Sequence, residues 1–115
     1  MVGQVQPLQA QQTEFPAPAL AAEQHPFLEW GGDYPRWSLM TPERGVADIR
    51  LAIQRAQERI DAICRVQPQE MTWENTFAAF DAVDVELGYA DQLLSNLAYL
   101  MDSPEVRAAM DEVTP

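Results

Sequence analysis

The two side chains best suited to nucleophilic chemistry, cysteine and histidine, each occur once in this chain. Cys64 and His25 are far apart in the sequence, and a cysteine nucleophile needs a nearby base to take its proton. A structural zinc site needs four such ligands. These counts exclude an intramolecular disulfide and a cysteine/histidine zinc cluster built from this chain alone. We expect Cys64 to be a buried structural thiol.

Carboxylates at helical spacing are the second candidate for chemistry. Asp81 and Asp84 are one helical turn apart, and Asp84 and Asp91 two turns, so a helix places them on one face. Metal sites in helical bundles add histidines and ligands from a second helix, and neither is present here. The pattern favours a solvated or arginine-paired face, with a metal site as the weaker alternative. We expect Asn96, within an apolar stretch, to be a satisfied interior polar group.

Motifs that carry metal or phosphate chemistry are missing. There is no HExxH, since Pro26 and Phe27 follow the only histidine, and Gly31-Gly32 lacks the further glycines and the lysine of a phosphate loop. We therefore assign no catalytic, cofactor-binding or metal-ligating residue to this chain.

Charge and length narrow the class of protein. Eighteen acidic residues face seven basic ones, all arginine, for a net charge of −11. Such a chain is a poor partner for nucleic acid or an anionic membrane surface, and it has no apolar run of about 18 residues that could span a bilayer. A hydrophobic content of 47% over 115 residues allows one small domain or a piece of a larger one.

Residues 1–24 are rich in glutamine, alanine and proline and carry no basic residue. A secretory signal needs a positive start and an uninterrupted apolar core, but Pro16 and Pro18 break the only candidate. The sequence predicts a flexible arm and a cytoplasmic chain, and the single Cys64 agrees with a reducing compartment.

Residues 25–40 form an aromatic segment punctuated by Pro26, Gly31, Gly32 and Pro35, which forbid a regular helix. Large rings are costly to leave in water, so we expect an extended strap packed over a helical body; a ligand-binding aromatic loop is the weaker alternative. The apolar residues of the strap are Phe27, Leu28, Trp30, Tyr34, Trp37, Leu39 and Met40.

Three helix starts follow, at Thr41-Pro42-Glu43, Thr72-Trp73-Glu74 and Ser103-Pro104-Glu105. Each combines a capping hydroxyl with an acid in the first turn, and two add proline at the first position. Gln67-Pro68 ends the first helix. Apolar spacings of three and four predict the buried faces. The predicted inward residues are Val46, Ile49, Ile53, Ala56, Ile60 and Ile63, then Phe80, Val83, Leu87, Ala90, Leu94, Leu97 and Met101, then Val106, Met110 and Val113.

These elements predict an all-α fold: an antiparallel helical hairpin plus a short third helix, preceded by the extended aromatic strap and the flexible arm. The connection over residues 66–71 is short, so the first two helices should be antiparallel neighbours. Five arginines lie in residues 42–65, whereas residues 66–106 contain no basic residue. Pairing of these two helices is therefore electrostatically favourable, although apolar burial must dominate.

The stretch Leu93–Met101 is apolar on nearly every side of a helix. A helix that is apolar all round must be buried all round, and two helices with a short third one cover about half of that surface. We expect something else to cover the rest, either more of the same chain in a longer parent or a partner.

Four motifs, taken in order, resemble the N-terminal part of the oligopeptidase A and thimet oligopeptidase family of zinc metallopeptidases, which includes the bacterial peptidyl-dipeptidases. They are His25-Pro26-Phe27-Leu28, Met40-Thr41-Pro42-Glu43, Thr72-Trp73-Glu74-Asn75-Thr76 and Asp102-Ser103-Pro104-Glu105-Val106-Arg107. Their order and spacing agree with the family along residues 25–115, and residues 1–24 match nothing in it.

The resemblance implies a large, almost wholly helical parent with two lobes flanking a deep channel. In that family an HExxH helix and a downstream glutamate hold zinc, and the glutamate of the motif activates a water that attacks the peptide carbonyl. Residues 25–115 would be the N-terminal helical part of the lobe that walls the channel. They would not be catalytic themselves, since zinc and the catalytic motifs belong to the remainder of the parent. Short peptides would be the parent's substrates.

The alternative is a self-contained acidic helical protein-interaction module. It requires the same apolar stripes but no further chain to complete the fold.

Overall fold

The structure is a computed structural model, and it describes residues 23–30 and 32–115. Most of the predicted arm, residues 1–22, lies outside the described residues; Glu23 and Gln24 are exposed and belong to a turn. The described residues form helices and turns without a strand, which confirms the all-α prediction. Among them, no helix is long and apolar enough to cross a membrane.

The first helix, α1, comprises Pro42–Cys64 and begins where the sequence predicts. The Thr41 hydroxyl accepts a hydrogen bond from the Arg44 amide at 3.4 Å, and Pro42 occupies the first helical position. A tight 3₁₀ turn at Pro68–Glu70 then reverses the chain. The short connection predicted between the first two helices is confirmed.

The second predicted helix begins correctly but is not continuous. The Thr72 hydroxyl accepts from the Asn75 amide at 3.1 Å and the Asn75 side-chain oxygen accepts from the Thr72 amide at 2.8 Å, a reciprocal capping box. A π-helical turn at Glu74–Ala78 leads into α2, Ala79–Asp81. The helix is interrupted at residues 82–84, and α3, Val85–Leu100, follows this break. The prediction of one long helix is therefore wrong.

A side chain of α1 stabilises the break. The Val83 amide bonds to the Phe80 carbonyl at 3.1 Å, a tightened final turn. The Val83 carbonyl accepts from Arg59 Nη1 on α1 at 3.2 Å instead of from the next turn of helix. A side chain from the neighbouring helix thus satisfies a backbone group that the break releases.

The last helix, α4, is Pro104–Val113, and the Ser103 hydroxyl accepts from the Val106 amide at 3.2 Å. Val106 is buried, while Met110 and Val113 are partly buried and pack against the core. The predicted third helix and its inward residues are confirmed.

Contacts between α1 and the α2–α3 segment show that the two run antiparallel, as predicted. Gly45 approaches Leu94, Arg55 pairs with Glu86, and Arg59 bonds to the Val83 carbonyl. Positions later in α1 thus meet positions earlier in the second segment. The helix α4 packs across α1, where Arg50 pairs with Glu112.

The face of α1 that meets its neighbours differs from the predicted stripe. Val46, Ile49 and Ala56 are buried as predicted. Ile53 and Ile60 are exposed, whereas Ala52 and the polar Asp48 and Arg55 are buried in addition. Small side chains let the helices approach closely, so α1 turns this side inward and leaves two isoleucines outside. Two predicted inward residues of the second segment, Phe80 and Met101, are also exposed. The central core consists of Phe27, Met40, Ile49, Ala90, Leu93, Leu94, Leu97 and Val106.

The aromatic strap packs on the helices at its ends but not along its whole length. Pro26, Phe27 and Met40 are buried, and Trp30 packs against the core. Tyr34 and Trp37, in contrast, are exposed. The strap is not extended either, because the His25 carbonyl accepts from the Leu28 and Glu29 amides and Trp37–Leu39 forms a 3₁₀ turn.

Candidate functional site

A buried carboxylate joins the strap to α1. Asp48 is fully buried, and its Oδ1 lies 2.6 Å from His25 Nδ1. Its Oδ2 accepts from the Phe27 amide at 3.0 Å. Burial raises the pKa of the Asp48 carboxyl above its ordinary value, while the hydrogen bonds from His25 and Phe27 and the positive charge of Arg44 act against that rise.

A histidine oriented by an aspartate also occurs in hydrolase triads, where it activates a nucleophile. The only thiol of this chain does not contact the His25–Asp48 pair. Cys64 is at the far end of α1, roughly 24 Å from Asp48 at about 1.5 Å per residue. The contacts of this pair instead anchor the turn that places Phe27 in the core. We therefore assign His25 and Asp48 a structural role.

An ionic cluster lies at the break between α2 and α3. Arg55 Nη1 is 3.3 Å from Glu86 Oε1, and Arg59 Nη2 is 3.1 Å from Glu86 Oε2. The two arginine side chains are about nine-tenths buried and the glutamate about three-quarters. The contact of Arg59 with Oε2 lacks hydrogen-bond geometry, so it is an ionic contact only. This cluster confirms the expected pairing of an arginine-bearing helix with an acidic one.

A cleft of about 350 Å³ separates the start of the strap from α3. The rings of Trp30 and Tyr89 meet edge to face there, with centroids 6.3 Å apart. Glu86 also lines the cleft, but Arg55 and Arg59 already neutralise it. The cleft is therefore an aromatic depression without a nucleophile and base held together.

Three exposed rings lie at helical spacing on the segment that precedes the break. Trp73, Phe77 and Phe80 are spaced by four and three residues and are 68%, 64% and 69% exposed. The rings of Trp73 and Phe77 stack with centroids 5.1 Å apart. We call these three residues the aromatic ridge. The prediction that Phe80 is a core residue is wrong, although the helical spacing of the three rings is visible in the sequence.

Exposed carboxylates lie near the ridge in the sequence. Glu70, Glu74, Asp81 and Asp84 are all exposed along the same segment. Since residues 66–106 contain no basic residue, no neighbour in the sequence neutralises them. The ridge is thus an apolar surface with an acidic border.

A second apolar surface lies at the end of α3. Leu93, Leu94 and Leu97 are buried within the described chain, whereas Tyr99, Leu100 and Met101 are 90%, 75% and 65% exposed. We call the last three residues the α3 end patch. The structure therefore covers one side of the apolar stretch and leaves the other open.

The other residues singled out from the sequence are exposed and are not gathered into one site. Cys64 is exposed at the last position of α1, so the prediction of a buried thiol is wrong. Asn96 is also exposed, contrary to the predicted interior position, because it faces away from the side of α3 that carries Leu94 and Leu97. Asp81, Asp84 and Asp91 are exposed, as a solvated face requires.

The residues that the structure describes do not fit a zinc site. Nowhere in residues 23–30 and 32–115 do three histidine, cysteine, aspartate or glutamate side chains gather as a metal would need. One nitrogen of His25 is engaged by Asp48. We derive no zinc chemistry from these residues.

Compared with known protein families, curated proteins and solved structures, the chain gives no match in any of the three.

Proposed function

We propose that this chain is the N-terminal helical segment of a zinc-dependent oligopeptidase and contributes to the lobe that walls the substrate channel. In this proposal the remainder of the parent holds the zinc and hydrolyses short peptides. The ordered motifs along residues 25–115 support the family, and the α3 end patch supports the need for further protein.

The α3 end patch is the observation that carries the proposal. Burying a large apolar side chain contributes roughly 1.5–3 kcal/mol relative to leaving it exposed. Three adjacent side chains of this type remain exposed at the end of a helix whose other side is well packed. Packing of further helices against this patch would recover that free energy, as in a large helical enzyme.

The closed core of the unit supports the proposed channel-wall role. The hairpin of α1 with α3, closed by α4, already has a buried core around Phe27 and Leu94. It can therefore serve as a preformed wall element, while the open patch is where it joins the rest of the lobe. A cytoplasmic location is part of the proposal, in keeping with the single cysteine, Cys64.

The reading frame beyond the Pro115 codon tests the parent directly. We expect an in-frame continuation that encodes HExxH and, further on, a glutamate ligand. A continuation without that motif would refute the peptidase parent.

The purified chain provides the complementary test. With a quenched fluorogenic peptide and added zinc, we expect no hydrolysis above the buffer rate. Hydrolysis that a chelator abolishes would contradict the assignment of catalysis to the remainder.

The α3 end patch has its own test in dye binding. We expect an apolar-surface dye to bind less to the Leu100→Ser/Met101→Ser variant, whereas the matched control Tyr34→Ser, in the exposed part of the strap, should bind it like the parent chain. Equal dye binding by all three proteins would remove the patch as the support for the proposal.

A self-contained acidic interaction module remains the second candidate, and one observation favours it. The core around Phe27 and Leu94 is closed within the described residues, as in a unit that folds alone. Light scattering distinguishes the two functions: a compact species that does not bind dye favours the module, and a dye-binding, associating species favours the segment of a larger protein.

A further inference from the structure

We propose that the aromatic ridge, Trp73, Phe77 and Phe80, is a docking site for an amphipathic helix that carries lysine or arginine beside its apolar face. This inference concerns a surface distinct from the α3 end patch. It holds whether or not the parent is a peptidase, because it specifies the chemistry of the partner and not its origin.

The backbone beneath the ridge is well ordered, which favours binding. The capping box of Thr72 and Asn75 begins the segment, and the side-chain nitrogen Nδ2 of Asn75 donates to the Glu70 carbonyl at 2.8 Å. A π-type bond from the Ala78 amide to the Trp73 carbonyl, 2.9 Å long, holds the next turn. Because the backbone is already held, a partner does not have to order it, and preorganised surfaces bind more tightly. Single π turns are also frequent at functional sites.

The ridge has the composition of an interface centre. Tryptophan is among the residues that contribute most to binding energy at interfaces, and aromatic side chains are enriched there. Trp73 and Phe77 already stack on each other, so their rotamers are restrained before binding. Their exposure of about two-thirds leaves a large apolar area for a partner to cover.

The acidic residues near the ridge favour a positively charged partner. Four exposed carboxylates lie within four residues of a ridge residue in the sequence, in a stretch without a basic residue: Glu70, Glu74, Asp81 and Asp84. A complementary partner carries positive charge around its apolar face, which accelerates association and excludes acidic competitors. A second copy of this ridge would bring two acidic borders together, and nucleic acid would bring phosphates to them. Both are disfavoured by repulsion between like charges.

The helical arrangement of the three rings favours a helix as the binding partner. The three rings follow the surface of a helical segment over about 10 Å, at about 1.5 Å per residue. A ridge of this kind packs into the groove between side-chain rows of another helix, which presents anchors at positions i, i+3 or i+4, and i+7. An added β-strand would need an open sheet edge, and the described residues contain no sheet.

A synthetic helix tests the partner class on the intact chain. The probe is a fluorescein-labelled peptide of about 18 residues, long enough to form a helix, with leucine on one face and lysine on the other. Two controls keep the length: one replaces lysine by glutamate, and the other replaces leucine by serine. We expect the leucine/lysine peptide to raise the anisotropy and each control to bind at least about tenfold more weakly. Equal binding of the glutamate peptide would overturn the charge argument, and no binding of the lysine peptide would overturn the proposal.

Two variants test the location. Phe77→Ser removes the central ring of the ridge, and we expect about tenfold weaker binding or more. Tyr99→Ser, in the α3 end patch, is the matched control and should bind like the parent chain. The helical content of each variant is checked by circular dichroism. Undiminished binding by folded Phe77→Ser would refute the ridge as the site.

Charge variants and self-association complete the test. Glu74→Gln/Asp81→Asn should weaken binding severalfold and reduce its salt dependence, whereas Glu58→Gln/Asp111→Asn, with the same change of charge elsewhere, should not. A sedimentation experiment without peptide is expected to show that Phe77→Ser and the parent chain have the same mass. A parent dimer that Phe77→Ser dissociates would overturn the helix partner in favour of a second copy.

Discussion

Gly45 lies at the closest approach of α1 to its neighbours, and a single methyl group there tests the packing. A Cβ at this position would be 2.9 Å from Leu94 Cδ1 and 3.2 Å from Phe27 Cζ. Both side chains are fully buried, so neither can move freely away. Gly88 on α3 is the matched control, because a Cβ there would have no neighbour within 4 Å.

Two opposing effects determine how much Gly45→Ala changes the free energy of unfolding. Replacing glycine by alanine inside a helix is worth about 1 kcal/mol of helix propensity at either position. Adding a methyl group to a well-packed core costs about 1–3 kcal/mol. We expect Gly88→Ala to stabilise the chain by about 0.5–1 kcal/mol. Gly45→Ala combines the gain and the cost, so the chain should lose up to about 2 kcal/mol.

Urea unfolding followed by circular dichroism measures both variants, with the free energy of unfolding extrapolated to water. Thermal unfolding gives a second value, since 1 kcal/mol shifts the Tm of a domain this small by about 4–8 °C. The expected order of stability is Gly88→Ala, the parent chain, then Gly45→Ala. If Gly45→Ala were as stabilising as Gly88→Ala, the close contact among α1, Leu94 and Phe27 would be wrong.

Three further predictions concern single side chains. Because burial raises the pKa of Asp48, the folded chain binds its proton more tightly than the unfolded chain, so the stability of the parent chain relative to Asp48→Asn should fall as the pH rises from the ordinary value of 3.8 through the raised pKa. Urea unfolding at a series of pH values measures this difference, and a difference that does not change with pH would show that the carboxylate is solvated. Glu86→Gln leaves two mostly buried arginines without their counterion and should lose about 1–3 kcal/mol in urea unfolding, whereas Glu112→Ala, in an exposed pair, should lose about 0.5 kcal/mol or less; similar losses would contradict the burial of the cluster. Cys64 should react with a chromogenic disulfide reagent nearly as fast in the native chain as in denaturant, and a rate more than about tenfold slower would show that the thiol is buried.

The starts of the helices were predictable because capping is local. Thr41, Thr72 and Ser103 each accept a hydrogen bond from an amide three residues ahead. The geometry of such a bond depends on adjacent residues alone, so a short stretch of sequence contains the information. The inward positions of α4 followed in the same way, because a short amphipathic helix with one apolar side has one way to pack.

The break before α3 was not predictable, because the side chain that stabilises it belongs to another helix. Residues 82–84 contain neither proline nor glycine, and Arg59 supplies the bond that the Val83 carbonyl needs. The side chain that stabilises the break is thus more than twenty positions away. Local rules applied to Thr72–Met101 therefore give one helix.

The positions of the candidate surfaces depended on the same distant contacts. Phe80 has the apolar character and spacing of a core residue, yet the hairpin leaves it exposed beside Trp73 and Phe77. Asp48 has the character of a surface residue, yet the strap covers it and supplies His25 and the Phe27 amide as partners. Hydrophobicity alone does not state which of two apolar sides faces the neighbouring helix.

The sequence by itself determined the helical class, the three capped starts, the antiparallel order and the acidic character of the second half. These properties arise from composition and from interactions between residues a turn apart. Only the tertiary structure decided that α1 presents Gly45 and Ala52 inward, that Asp48 is buried, and that the aromatic ridge remains exposed. The physical reason is that small side chains set how closely two helices approach, and that closeness depends on both helices together.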